Sequence, residues 1–263
     1  MTTPLDPLPA VVPFAAVTSD PSGPSTLSKT DKSLMLARAR DRIYRVMIVD
    51  DAVPIVVKRD EMVEAAIDEA MRSVTTDVRI QVPTSAKKEV IGAMSALRRA
   101  FKQCTFYQVN CEFGLRLEGG STASKIEHWR ERVKHLLTDF NFLRDLLRPE
   151  TEYFSSPFFQ HFMIDMLFLA PMKLWQYVDG LDIAFALGAT AIAAALTDFW
   201  HGYYRDVDSR ADNWRGYYTK ATELITLMQS DPTRSEWLTR YQQSLIAQGK
   251  VELPPATSTS TSV

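Results

Sequence analysis

Residues 181–202 read LDIAFALGATAIAAALTDFWHG, and the order of small and large side chains in this stretch decides the kind of body around it. At about 100° per residue, Ala184, Gly188, Ala191, Ala195 and Gly202 fall on one line of a helix. Phe185, Ile192, Leu196 and Phe199 flank that line on one side, Ile183 and Leu187 on the other. A seam of small residues lets a second helix approach closely while the bulky walls fill the space around it. A helix apolar nearly all round belongs in the interior. The reading is a central buried helix over about 181–202. Its uncharged part runs from Ile183 to Thr197, between Asp182 and Asp198. Fifteen residues, many of them alanine, are too short to cross a hydrocarbon layer of ~30 Å.

Outward from that segment, helix signals dominate. One helix is expected from about Asp31 to Val49, with Leu36, Ala39, Ile43, Val46 and Met47 on one face. Asp60-Glu61 opens a second, to about Val74, because acids suit a helix N-terminus. Pro83-Thr84-Ser85 starts a third, beyond Phe101 and as far as Glu112. Gly119-Gly120 is a break, and Ser124-x-x-Glu127 reads as a capping box ahead of Ile126, Trp129, Val133, Leu136 and Leu137. Phe140–Leu147 continues that helix or kinks from it. Ser156-Pro157 opens a helix that Pro171 stops. Two more run from about Asn213 to Met228 and from Asp231-Pro232 to Ala247. Val78–Val82 alternates and Val53–Val57 is β-branched, but two short runs do not make a sheet. The fold class is all-α: an irregular bundle of about seven or eight helices around 181–202.

The ends differ in kind. Residues 1–29 carry six prolines among Ser, Thr and Ala, and the chain closes on PPATSTSTSV. Both read as disordered tails, 1–29 and 251–263, flanking a single helical domain over 30–250. A body of roughly 220 residues buries about 70% of its unfolded surface and needs no staple. With 46% hydrophobic residues, 24% charged and a net charge of −2, the molecule as a whole is no electrostatic binder of nucleic acid or membranes. The two cysteines, Cys104 and Cys111, lie seven residues apart on one expected helix, about 10 Å along its axis and too far for a disulfide. With no Asn-x-Ser/Thr sequon and no signal peptide, a reducing intracellular setting is expected, cytoplasm or nucleus.

Thr190-Ala191-Ile192-Ala193 with Leu196, then Phe199-Trp200-His201-Gly202, is followed by Tyr217-Tyr218 and the Leu224/Leu227 pair; upstream, Arg59 to Ala70 is an acid-rich helix. Over roughly residues 35–230 this pattern resembles an uncharacterised all-helical family, a domain of unknown function expanded in mushroom-forming (basidiomycete) fungi. The resemblance implies a fungal source and an intracellular protein. It carries no catalytic residues over.

Three constellations bear on chemistry. Lys87, Lys88, Arg98, Arg99 and Lys102 lie within an arc of about 120° on the third helix, opposite an apolar arc from Val90 to Cys104. Residues 28–102 hold 15 basic and 11 acidic side chains, residues 103–250 hold 15 and 18. Such a stripe can track a phosphate backbone, although a solvated face paired with acids is the commoner use. It lacks the interleaved aromatics of a single-strand binder.

Second, Glu131/His135, His161/Asp165 and Asp198/His201 each place two ligand-type side chains close on a helix. The Glu-x-x-His spacing of helical carboxylate sites is missing. Third, Asp198 projects near the small-residue seam and, if buried, needs a partner: an arginine, or a neighbouring helix to cap. No phosphate-binding glycine loop, nucleophile elbow or Cys–His signature occurs. The five tryptophans and the pairs Tyr203-Tyr204 and Tyr217-Tyr218 read as core or interface anchors.

The expectation is therefore a non-enzymatic interaction or scaffold domain with a protein partner, no cofactor, no metal and no membrane. The alternatives are nucleic-acid association through 87–102 and a metal-dependent enzyme.

Overall fold

The seam segment forms α6 (Asp182–Thr197), and every residue from Ala184 to Leu196 is buried. The computed structural model describes residues 27–75, 82, 84–115, 122–148, 151–178, 180–202, 204–206 and 211–253. Residues 1–26 and 254–263 of the expected tails, Val78–Gln81 of the alternating run, Gly119-Gly120 and Tyr203 lie outside the described residues, while the first helix starts at Lys29 and the last ends at Glu252, slightly past the expected 30–250 at both ends. Within them there are eight α-helices and no strand.

The grip on the seam is visible at Gly188. A Cβ added there would stand 2.5 Å from Met163 Sδ and 3.2 Å from Phe162, both on α5 (Pro157–Ile164). Real carbon atoms do not approach so closely, so glycine is what admits α5. Phe185, on the wall beside the seam, meets Phe159 edge-on at 5.1 Å and lies 5.4 Å from Phe154. Burying rings of this size supplies most of the local packing energy, with a further ~0.5–1.5 kcal/mol for each well-set aromatic pair.

The small-residue line does not run to its expected end. α6 stops at Thr197, and Asp198 to His201 make turns. Gly202 sits off the helix at φ +76, a left-handed conformation that glycine adopts without penalty. A Cβ there would fall 2.5 Å from the carbonyl oxygen of Ile126 on α4 (Ala123–Leu137). Gly202 is small because a second helix crosses it, not because it extends the seam.

Around α6 stand α1 (Lys29–Val49), α3 (Thr84–Glu112), α4, α5 and α7 (Ala211–Ser230). α2 (Val56–Val74) packs on α1, and α8 (Pro232–Glu252) packs on α7 and α5. Helix starts follow local hydrogen bonding. Ser28 Oγ accepts from Asp31 N–H and Asp231 Oδ1 from Thr233 and Arg234 N–H, so α1 and α8 are capped. α4 begins two residues earlier than its capping box predicts. Thr122 is the cap: its side chain accepts from the Lys125 N–H and its carbonyl takes the Ile126 N–H, backbone bonding that a start at Ser124 would forgo. α2 opens at Val56, four residues ahead of Asp60, so Val53–Val57 is no strand.

Three segments are irregular, and at the first the chain takes the kink of the two courses expected after α4. After α4 a 3-10 helix spans Thr138–Leu143, with Asp139 and Phe140 at φ 48 and 55. That kink turns Phe140 and Phe142 inward in place of a continued helix. α5 passes into a π-helical turn, Asp165–Leu169, which seats Phe168 against Gly249 of α8 so closely that no Cβ fits. A second 3-10 turn, Leu174–Tyr177, lays the Tyr177 hydroxyl on Asp41 of α1, to which it donates. Cys104 and Cys111 are both free. Among the described residues no helix is long and apolar enough to cross a membrane.

Candidate functional site

The five basic residues of α3 share one helix, but the fold gives them different fates. Lys87 Nζ lies 2.8 Å from Glu64 and 4.0 Å from Asp60, both on α2. The Glu64 contact favours the charged ammonium and raises its pKa. Lys88 and Arg99 are exposed. Arg98 and Lys102, one turn apart, are buried. The expected continuous basic face is therefore interrupted where the helix turns toward the loops around it.

Lys102 forms the centre of the first cluster. Its Nζ stands 3.0 Å from Asp198 Oδ2 and 2.8 Å from Asp206 Oδ1. Asp198, only 1% exposed, is paired with a lysine of α3, a residue type other than the arginine named as its expected partner. The aspartate sits at the C-terminal end of α6, just where the apolar seam gives out. There it draws the lysine stem along the helix and pins α3 to α6. A buried carboxylate without this cation would cost several kcal/mol.

Beside the pair opens a cleft of about 780 Å³, lined by Arg99, Lys102, Gln103, Phe106, Tyr107, Asp198, Tyr204 and Asp206. Phe106 lies four residues beyond Lys102 on α3, hence on the same face. Its ring stacks on Phe199 at 5.9 Å and meets Tyr204 edge-on at 4.8 Å. Tyr107 is 75% exposed, and Tyr204 46%. Partial burial and the Asp206 and Asp198 carboxylates raise the Tyr204 pKa, so its hydroxyl stays a donor. The aromatics missing from the basic stripe in the sequence reading are thus supplied by the next turn of α3 and by the loop after α6. The spacing of Lys102 and Phe106 was the available signal; Tyr204 and Asp206 reach the cleft only through the fold.

The six ligand-type residues are not brought together. Glu131 and His135 border a shallow groove on α4 with His128, and Glu131 lies 3.7 Å from Lys134. Asp165 accepts a hydrogen bond from Gln108, while His161 is exposed. Asp198 is turned to Lys102, and His201 is exposed. Among the described residues no three His, Cys, Asp or Glu side chains stand close enough to hold a metal ion.

The profile of a family described as "Domain of unknown function (DUF6532)" fits residues 38–228. No curated protein and no solved structure is significantly similar to the chain.

Proposed function

This chain belongs to the DUF6532 family, and from that premise we propose that it is a non-enzymatic helical interaction domain that binds a protein partner. The observation that supports this is the cleft beside Lys102. Exposed Tyr107, half-exposed Tyr204 and exposed Arg99 surround a rigid floor made by Phe106, Phe199 and the Lys102–Asp198 pair. Aromatic and arginine side chains around a desolvated floor are the residue types that carry binding energy at protein interfaces. The floor is pre-organised, so a partner loses less freedom on docking.

The interacting unit spans 30–250, with tails on either side. In line with the fungal family it resembles, we place it inside the cell, in cytoplasm or nucleus, in a basidiomycete source. Nucleic-acid association through α3 draws on fewer free cations than the sequence suggests, since only Lys88 and Arg99 of the five are exposed.

Panning a random-peptide library over the purified full chain tests the reading. Clones should bind the wild type and lose at least tenfold in affinity toward the double variant Arg99→Glu/Tyr107→Ala. Recovery of binders that are all indifferent to both substitutions would overturn the assignment of the cleft. Single-stranded DNA binding that weakens on adding salt and vanishes in the same variant would favour the nucleic-acid alternative.

A further inference from the structure

Arg98 is 95% buried, and its neighbours pose a problem that Lys102 does not have. It has no carboxylate partner among the described residues. Its Nη1 reaches the Ala52 carbonyl at 3.5 Å and its Nη2 reaches Ser95 Oγ at 3.3 Å, both long, while its Nε is buried without any partner. The guanidinium lines a pocket of about 240 Å³ together with Arg59 of α2 and Arg215 of α7. Arg215 Nε is likewise buried and unpartnered. Burial, and next to it the positive charge of Arg59, pull the Arg98 pKa down to about 10, so the cation is held where it is disfavoured.

Two of the three guanidiniums are only partly neutralised. Arg59 gives its Nε and Nη2 to Asp60 Oδ1 at 2.9 and 2.8 Å. Arg215 lies 3.3 Å from Asp212, and its Nη2 reaches the Pro54 carbonyl at 3.4 Å. Among the described residues, Asp212 is the one acid in the lining, against three arginines. The pocket also meets the start of α2 at Pro54 and Val56, where Ile55 provides no side-chain cap for the free N–H groups. A helix start of that kind favours an anion. Three planar guanidiniums lining one pocket match the tetrahedral, multiply charged oxygen array of a phosphate. Apart from Ser95, the rest of the wall, with Ile91, Met94 and Val56, is apolar and offers nothing to a bare ion.

We propose that this pocket binds a small organic phosphate monoester, with its phosphoryl group on Arg59, Arg98 and Arg215 and its carbon body against Ile91, Met94 and Val56. The bound dianion supplies the counter-charge that Arg98 lacks. It would join α2, α3 and α7 at one point. The pocket shares no lining residue with the Lys102 cleft, so the proposal stands apart from the one made for that cleft.

Phenyl phosphate is the probe. In ¹⁵N-edited spectra of the full chain, the Nε–H resonances of Arg98 and Arg215 should shift on its addition, with a Kd at or below about 1 mM. Sodium chloride at equal ionic strength should leave them in place. Inorganic phosphate should bind several-fold more weakly than phenyl phosphate. Arg59→Gln, a change at a partly exposed side chain, should weaken phenyl phosphate at least tenfold while the protein melts as the wild type does. Arg98→Met should abolish binding. Resonances that stay still, or that chloride moves equally, would overturn the site. So would unchanged affinity in Arg59→Gln. Inorganic phosphate binding as tightly as phenyl phosphate would overturn the organic monoester.

Discussion

α6 and α3 both run through the middle of the molecule, yet they are held there by opposite means. α6 is apolar on every side, and its packing is a matter of shape: glycine where Met163 presses in, large rings where there is room. α3 is longer and amphipathic, with Val90, Leu97, Phe101 and Val109 inward, and it also carries cations into the interior. At Lys102 the cation meets two carboxylates. At Arg98, one turn earlier, it meets two further arginines. Shape complementarity tolerates no added volume; buried charge tolerates no missing partner.

The largest expected effect comes from breaking the second kind of contact. Lys102→Met removes the cation that stands 3.0 Å from buried Asp198, and should cost about 3–5 kcal/mol in urea unfolding. The double variant Lys102→Met/Asp198→Leu should recover most of that loss, because the carboxylate goes as well. A single variant within about 1 kcal/mol of wild type would mean that the pair is solvated.

Next in size is the seam. Gly188→Val and Ala191→Leu should each destabilise by about 1–3 kcal/mol through overpacking. The melting temperature should drop by ~2–4 °C for each kcal/mol. Wild-type melting in both would take α6 out of the tightly packed centre.

A smaller, graded effect should appear with pH. Burial is the main cause that raises the pKa of Tyr218 to about 12, and it also raises Tyr177 and Tyr241. Unfolded tyrosines lose their proton near pH 10, whereas the folded ones keep theirs. Folding therefore binds protons in this range, and stability should fall as pH rises from 10 toward 12. Phenolate absorbance should show these three rings ionising only with unfolding; ionisation at pH 10 in the folded state would contradict it. The smallest effect belongs to the solvent side of α3. Lys88→Ala and Arg99→Ala should stay within about 0.5 kcal/mol of wild type in the same urea titration. A larger loss would place those side chains in contacts absent from the fold described above.

Legibility followed the same division. The face from Val90 to Phe101, the all-apolar character of 184–196 and the Asp231-Pro232 start were readable because helical periodicity and capping are local. Gly202 was placed on the right small-residue list for the wrong reason. Its role depends on the Ile126 carbonyl, a partner 76 residues away. The capping box lost to Thr122, two residues earlier, through backbone hydrogen bonds that composition does not show. In the candidate cleft, Arg99 and Lys102 were picked out, and Phe106 was within reach by spacing. Which members of the basic stripe are exposed and which buried was not, since projection on a single helix places charges by angle alone.

By itself the sequence determined an all-helical body with a close-packed helix at its centre, because the spacing of apolar and small residues is fixed along one chain and needs no partner to be read. Only the tertiary structure decided that Asp198 answers Lys102, that three arginines share one pocket, and that Phe168 needs Gly249. Those are meetings between segments far apart in sequence. Their energies depend on distance and burial, quantities that do not exist until the chain has folded.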